Sequence, residues 1–262
     1  MKRIYARVVL GALRPGRPKA LPERELTRRV EVDRDHLVEY DRVCGFRLRD
    51  ELPATYPHVL AFPLAMELMA ASDFPFSPLG IVHVGNRIEQ RRSLRADEPL
   101  DLRAWAADLE PHERGTQFVL HAEAAVDGEV VWRDASTYLH REGKSGSSSR
   151  DGAEPPPASA IWSVPGDIGR RYARVSGDAN PIHLHPLTAK ALGQPGAIAH
   201  GMWTKARCLA ALEGTLPDAY TADVRFKLPI RIPGRIAFSF SEGEFAVHDA
   251  RSGKPHLSGR VS

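Results

Sequence analysis

The chain has 262 residues, 42% of them hydrophobic and 26% charged, with a net charge of +3. That composition excludes overall disorder. The small excess of 36 basic over 33 acidic residues excludes a dedicated nucleic-acid binder, and two cysteines, Cys44 and Cys208, are too few for a disulfide framework or a zinc cage of their own.

The strongly apolar run near the start, Val8 to Leu13, has six residues. A secretory core needs about 7 to 15, and Arg14, Arg17 and Lys19 follow where small residues would be required. No stretch is long enough to span a membrane. The expectation is a cytoplasmic protein without membrane contact.

In chain order, a short polar helix is predicted over 33–43 and a more apolar one over 58–71. Strand-like runs follow at 81–90, 100–109, 117–126 and 130–141. Residues 141–160 read REGKSGSSSRDGAEPPPASA, a stretch without a large apolar residue that cannot bury a core. It predicts a flexible, protease-sensitive linker. The pattern then repeats, with a polar helix over 166–175, a short helix over 186–192 and an apolar helix over 201–212. Runs at 222–228, 235–242, 244–250 and 257–261 close the chain. Asp127-Gly128, Pro233-Gly234 and Ser252-Gly253 are turn signals between runs.

The halves also match residue by residue. Val32, Asp35, Tyr40, Arg42, Val43 and Gly45 recur as Val164, Asp167, Tyr172, Arg174, Val175 and Gly177, each 132 positions later. Leu94-Arg95 and Leu100 recur as Ile230-Arg231 and Ile236 at 136. An internal duplication explains this. The expected organisation is an N-terminal domain over 1–141, a linker over 142–160 and a C-terminal domain over 161–262. Each domain is an α+β unit in which an antiparallel sheet wraps one apolar helix, the geometry called a hot dog. Two in tandem make a double hot dog.

The densest chemistry lies between Tyr172 and Met202. Asp178 and His183 flank Asn180-Pro181, and the proline breaks any preceding helix. The carboxylate and the imidazole can turn back toward one site and hold a water, an arrangement suited to adding water to an activated double bond. The plain alternative is a helix cap, a turn asparagine and a surface histidine. Gly201 opens an apolar helix, where a backbone N–H is a natural oxyanion donor. His183-Leu184-His185 offers two metal ligands, but no third at usable spacing, and the helical H-E-x-x-H spacing is absent. Ser176 lacks a nucleophile elbow, and no phosphate-binding glycine loop is present.

Tyr172-Ala-x-x-Ser176-Gly-Asp178-x-Asn180-Pro181-Ile-His183, followed by Ala199-His200-Gly201-Met202, resembles the hydratase-2 motif of the MaoC-like family. Tyr56-Pro57-His58 and His83-Val84-Gly85-Asn86 look like the N-terminal part of its double-hot-dog branch. The resemblance spans nearly the whole chain and implies (R)-specific hydration of trans-2-enoyl thioesters, or the reverse dehydration. It implies that Asp178 and His183 are the catalytic pair, that Asn180 supports them and that the Gly201 N–H polarises the thioester carbonyl. Ser176, His200 and Met202 are expected at the substrate. No metal or redox cofactor is expected. The partner is an acyl-CoA or acyl-carrier-protein thioester, and the protein a monomeric double hot dog or a homodimer.

At the 132-residue offset, Phe46 and Glu51 replace Asp178 and His183. The first half is therefore expected to be inert, with Met66 and Met69 lining the acyl tail or only packing their own core. Competing readings are a carrier-protein dehydratase, a thioesterase on the same fold and a non-catalytic thioester binder.

Overall fold

The structure, a computed structural model, describes residues 18–142 and 155–262. The apolar run at 8–13 and residues 143–154 of the expected 142–160 linker lie outside the described residues. The first half runs β1 (Leu26–Val30), α1 (Arg34–Cys44), α2 (Tyr56–Met69), a 3-10 turn (Pro78–Gly80), β2 (Ile81–Gln90), β3 (Leu100–His112), β4 (Gly115–Val126) and β5 (Glu129–Arg141). The second runs β6 (Ala160–Val164), α3 (Ile168–Ser176), α4 (Pro181–Leu184), α5 (Pro186–Ala191), α6 (Gly201–Ala211), β7 (Tyr220–Phe226), β8 (Gly234–Ser241), β9 (Glu244–Asp249) and β10 (Pro255–Val261).

Among the described residues the strands form one ten-stranded sheet, ordered β1-β3-β4-β5-β2-β7-β10-β9-β8-β6. Read outward from the β2–β7 seam, the two halves mirror one another strand for strand. The seam is antiparallel, from Gly85 opposite Arg225 to Gln90 opposite Tyr220. Each long strand alternates buried and solvent-side residues, as in Leu100, Leu102, Ala104 and Ala106 of β3, so one face closes over the helices. α2 has no polar stripe. Tyr56, Val59, Ala61, Leu64, Met66, Leu68 and Met69 are all buried, which makes it the helix the first-half sheet wraps. α6 fills the same place in the second half, with Met202, Trp203, Ala206, Cys208 and Leu209 buried.

The duplication is visible in three dimensions. α1 and α3 both end on a left-handed glycine, Gly45 at φ 85° and Gly177 at φ 73°, a conformation that favours glycine. The equivalent Tyr40 and Tyr172 meet with ring centroids 6.4 Å apart.

β1 and β6 were absent from the predicted elements. Both are outer strands, and Thr27-Arg28-Arg29 of β1 is exposed. The charges of β1 hide the apolar alternation that betrays a strand and discourage further pairing, while β6, Ala-Ile-Trp-Ser-Val, is uncharged and only five residues long, directly after the proline-rich stretch.

The structure also corrects the alignment of the halves. The Leu52 N–H donates to the Leu94 carbonyl at 2.8 Å, and the Ala199 N–H to the Ile230 carbonyl at 2.9 Å. Glu51 bridges Arg95 as Ile198 bridges Arg231. Leu52 thus corresponds to Ala199, an offset of 147 rather than 132. The second half carries 15 extra residues between α3 and the strand-like segment before α6. Glu51 is the counterpart of Ile198, not of His183. The segment that holds His183 has no counterpart in the first half.

Candidate active site

The loop after α3 is built by local hydrogen bonds. Gly177 turns the chain out of the helix. The Asp178 N–H donates to Ser176 Oγ at 3.1 Å, and the Asn180 N–H to Asp178 Oδ1 at 3.1 Å. Asn180 then caps α4, its Oδ1 accepting from the Ile182 N–H at 3.3 Å, with Pro181 in the first turn. Proline suits that position because its missing N–H would be unpaired there anyway. Ser176 and Asn180 therefore brace the loop, each side chain accepting from a backbone N–H.

His183 leaves α4 toward the interior. Its Nδ1 lies 2.8 Å from the Ile198 carbonyl oxygen. A carbonyl only accepts, so Nδ1 carries the proton and Nε2 is left with a bare lone pair. His200, the N-cap residue of α6, places Nε2 3.0 Å from the Asp178 carbonyl oxygen and 3.8 Å from Asp178 Oδ2. By the same argument Nε2 is protonated, and Nδ1 is buried without a partner among the described residues. The two imidazoles stack with centroids 3.6 Å apart. One ligand-type atom from each of Asp178, His183 and His200 falls within 4.8 Å of the others. The Asp178 side chain is 29% exposed and that of His200 3%, so the carboxylate stands at the opening and the imidazoles form the floor.

The sequence spacing suggested His183 and His185 as a metal pair. The structure separates them: His185 turns outward to cap α5, Nδ1 accepting from the Leu187 N–H at 3.2 Å. The third member of the cluster is His200, seventeen residues downstream. Its ring stacks on that of His183, so the grouping is Asp178, His183 and His200 and not the His183/His185 pair that the spacing offered.

Burial pushes the His183 imidazole below its ordinary range, although the Asp178 carboxylate pulls the other way. Burial, with the neighbouring His183, takes His200 down to about 3. Both are neutral near pH 7, so His183 can act as a base.

Gly201 is the first residue of α6, where the N–H has no intrahelical acceptor. A Cβ at this position would lie 2.9 Å from the Phe226 ring. Glycine lets β7 pack directly over the helix start. Met202 is buried in the main hydrophobic core. Met66 and Met69 lie in a separate aromatic cluster with Phe62, Phe74, Phe118 and Tyr138.

Sequence reading expected Met66 and Met69 from the first half but did not bring His83 and Tyr138 to the site. His83 of β2 stacks on Tyr138 of β5 at 4.5 Å and meets the edge of Phe226 at 5.0 Å. Both His83 and Tyr138 feel the Asp178 charge. Beside them, His58 Nδ1 and Asp134 Oδ2 are 2.8 Å apart, and Asn86 Nδ2 donates to Asp134 Oδ2 at 2.9 Å. Lys205 of α6 is wholly buried and crosses the seam to the Asn86 side chain and the Ala222 carbonyl. The quoted motif His83-Val84-Gly85-Asn86 was the available signal, but nothing local shows that it reaches the other half.

These buried bases make folding pH-dependent. Burial lowers His83 and His200 to about 3 each, and Lys205 to about 7. In the unfolded chain the imidazoles titrate near 6.5. With folded values below unfolded ones, stability is full above about 6.5 and falls as the pH drops toward 3. Each histidine removes about 2 kcal/mol between pH 7 and pH 5. Lys205 continues the trend, adding stability as the pH rises above 7. Burial raises Asp41 to about 7 and so opposes the rise below that pH, but two histidines outweigh it, and urea midpoints should climb modestly from pH 5 to 7 and keep climbing to pH 9. A flat profile from 5 to 7 would contradict neutral buried imidazoles.

No helix among the described residues is long and apolar enough to cross a membrane. Residues 157–255 match the family described as MaoC like domain. The chain is 36% identical over 268 residues to 3-hydroxyacyl-thioester dehydratase X of Mycobacterium tuberculosis, covering 97% of this chain and 95% of that protein. A crystal structure of HtdX from the same organism superposes with a TM-score of 0.82 at 34% identity, covering 91% of this chain and 99% of the other. A MaoC-like dehydratase of Phytophthora capsici, 19% identical, shares the fold with a TM-score of 0.74 over 93% of this chain and 96% of its own. With relatives of that identity matched along almost their whole length, the chain belongs to the MaoC-like dehydratases and has their double-hot-dog fold.

Proposed function

We propose that this protein is a hydro-lyase that interconverts trans-2-enoyl-CoA and (R)-3-hydroxyacyl-CoA in fatty-acid metabolism. The observation that carries the reading is the Asp178/His183/His200 cluster at the start of α6, with the bare Nε2 of His183 beside a partly exposed carboxylate. In hydration, His183 Nε2 takes a proton from a water held against Asp178 as the water oxygen bonds to C3. The imidazolium so formed is stabilised by the carboxylate and returns a proton to C2, leaving the enzyme unchanged. The Gly201 N–H, aided by the helix dipole, stabilises the negative charge that gathers on the thioester oxygen. The family name and the relative named 3-hydroxyacyl-thioester dehydratase X support the same chemistry. A single chain supplies both halves of the site, since His83 and Tyr138 come from the first half and the acid–base cluster from the second.

The acyl tail runs from this centre along the aromatic cluster that contains Met66 and Met69, methionines that adapt to variable shapes. The assay is loss of the conjugated thioester absorbance when the protein meets crotonyl-CoA and longer enoyl-CoAs. Absence of any loss, with CoA or carrier-protein thioesters, would refute the reading. Met66→Trp or Met69→Trp should lower kcat/KM for a long enoyl-CoA at least about tenfold more than for crotonyl-CoA. Each buried CH₂ displaced forfeits about 0.8 kcal/mol. Equal losses on both substrates would reduce these methionines to ordinary core.

A further inference from the structure

Buried polar atoms in folded proteins nearly always have partners. Three side-chain atoms that lack one among the described residues, His83 Nε2, His140 Nδ1 and Ser77 Oγ, gather on the aromatic wall of the first half. Tyr138 and His140 are two residues apart on β5 and project from one face. Opposite them on β2 stand His83 and Ile81. The rings form a ladder: His83 on Tyr138 at 4.5 Å, Tyr138 on Phe118 at 5.6 Å, Phe118 on Phe76 at 5.4 Å and Phe76 on His140 at 4.7 Å. An orphaned imidazole stands at each end, and Ser77 follows Phe76.

The near end adjoins the reaction centre. His83 touches Phe226, and Phe226 covers Gly201. The other end is His140 on Phe76, which packs against the cluster of Met66 and Met69; in the β2–β5 register it stands one diagonal pair from His83. A wall meant for alkyl chains alone would gain nothing from these groups, because an unpaired polar atom in an apolar setting is costly. An oxygen on the acyl chain would give each of them a hydrogen-bonding partner.

The geometry points to a specificity subsite: the acyl pocket takes chains that carry a keto or hydroxyl oxygen beyond C3, with His83 as the near hydrogen-bonding partner and His140 with Ser77 as the far one. This inference rests on the dehydratase reading for where the acyl chain lies. It gives the aromatic cluster a chemical preference, not only a length.

The test is calorimetric binding to the full chain, which needs no turnover. Saturated dodecanoyl-CoA is compared with forms bearing one keto oxygen at successive positions from C5 to C11. At least one keto form should bind about tenfold tighter than the plain chain, the size of one neutral hydrogen bond. His83→Phe, which keeps a ring in the ladder, should abolish the advantage of the keto group nearest the thioester. His140→Phe should abolish that of a distal one. The readout is the ratio of keto to plain affinity within each variant, so a general loss of packing cancels. Plain dodecanoyl-CoA binding as well as every keto form would overturn the subsite and leave its atoms to water. An advantage untouched by either substitution would overturn the assignment of residues, and binding of no acyl-CoA would sink it as well. Hydration of crotonyl-CoA without any oxygen preference would sink this inference alone. Oxygen-selective binding without hydration would sink the reaction and spare the subsite.

Discussion

Asp178→Asn and His183→Ala should each lower kcat for enoyl-CoA hydration by about 10²- to 10⁴-fold, the usual contribution of a positioned acid or base. That corresponds to roughly 3 to 5.5 kcal/mol of barrier. In the proposed mechanism the two residues act on one water: His183 Nε2 is its base and the carboxylate holds it and stabilises the imidazolium. The double variant should therefore be little slower than either single one. Asp178→Asn keeps the shape of the side chain and an oxygen for the Asn180 N–H, so its melting temperature should stay near that of the parent protein. Turnover within a few-fold of the parent in either single variant would sink the mechanism.

Gly169→Ala should be the most damaging single-methyl change at the site. A Cβ there would lie 1.9 Å from the His183 carbonyl oxygen, a distance no packing tolerates. α3 and α4 would have to separate, carrying His183 away from Asp178. In a helix alanine is intrinsically better than glycine by about 1 kcal/mol, so any destabilisation reports the contact and not the helix. The expected cost is about 1 to 3 kcal/mol of stability, with kcat down at least about tenfold because His183 is misplaced. Gly196→Ala, with nothing within 4 Å of its added methyl, is the control. A Gly169→Ala protein as stable and as active as the control would show that the two helices yield freely.

Gly169 was not singled out from the sequence, and its case is instructive. Its role depends on a carbonyl fourteen residues away that arrives only when α4 folds back. The same holds for His200. Its place after His183 was noted, but its stacking on that ring follows from the strand-like segment at Ile198 pairing beside Arg231. The 15-residue insertion was invisible for a related reason. A matching pattern on both sides of a gap can be slid without penalty, and only the equivalent hydrogen bonds of Leu52 and Ala199 set the true correspondence.

What the sequence alone determined is whatever neighbouring residues decide among themselves. The turn at Gly177, the Asx loop of Asp178 and Asn180, the cap and proline that start α4, and the apolar character of α2 and α6 are all short-range. So is the repeat, and with the motif they were enough for the family. The tertiary structure alone decided which first-half residues meet the second. The β2–β7 seam brings His83 and Asn86 against a site whose other residues lie about a hundred positions later, with Tyr138 beside them, and it buries Lys205, which composition would place on the surface. Strand pairing across such separations is selected by the packing of whole faces, each contact weak and none local. A reading that moves along the chain sees the residues but not the partners they meet.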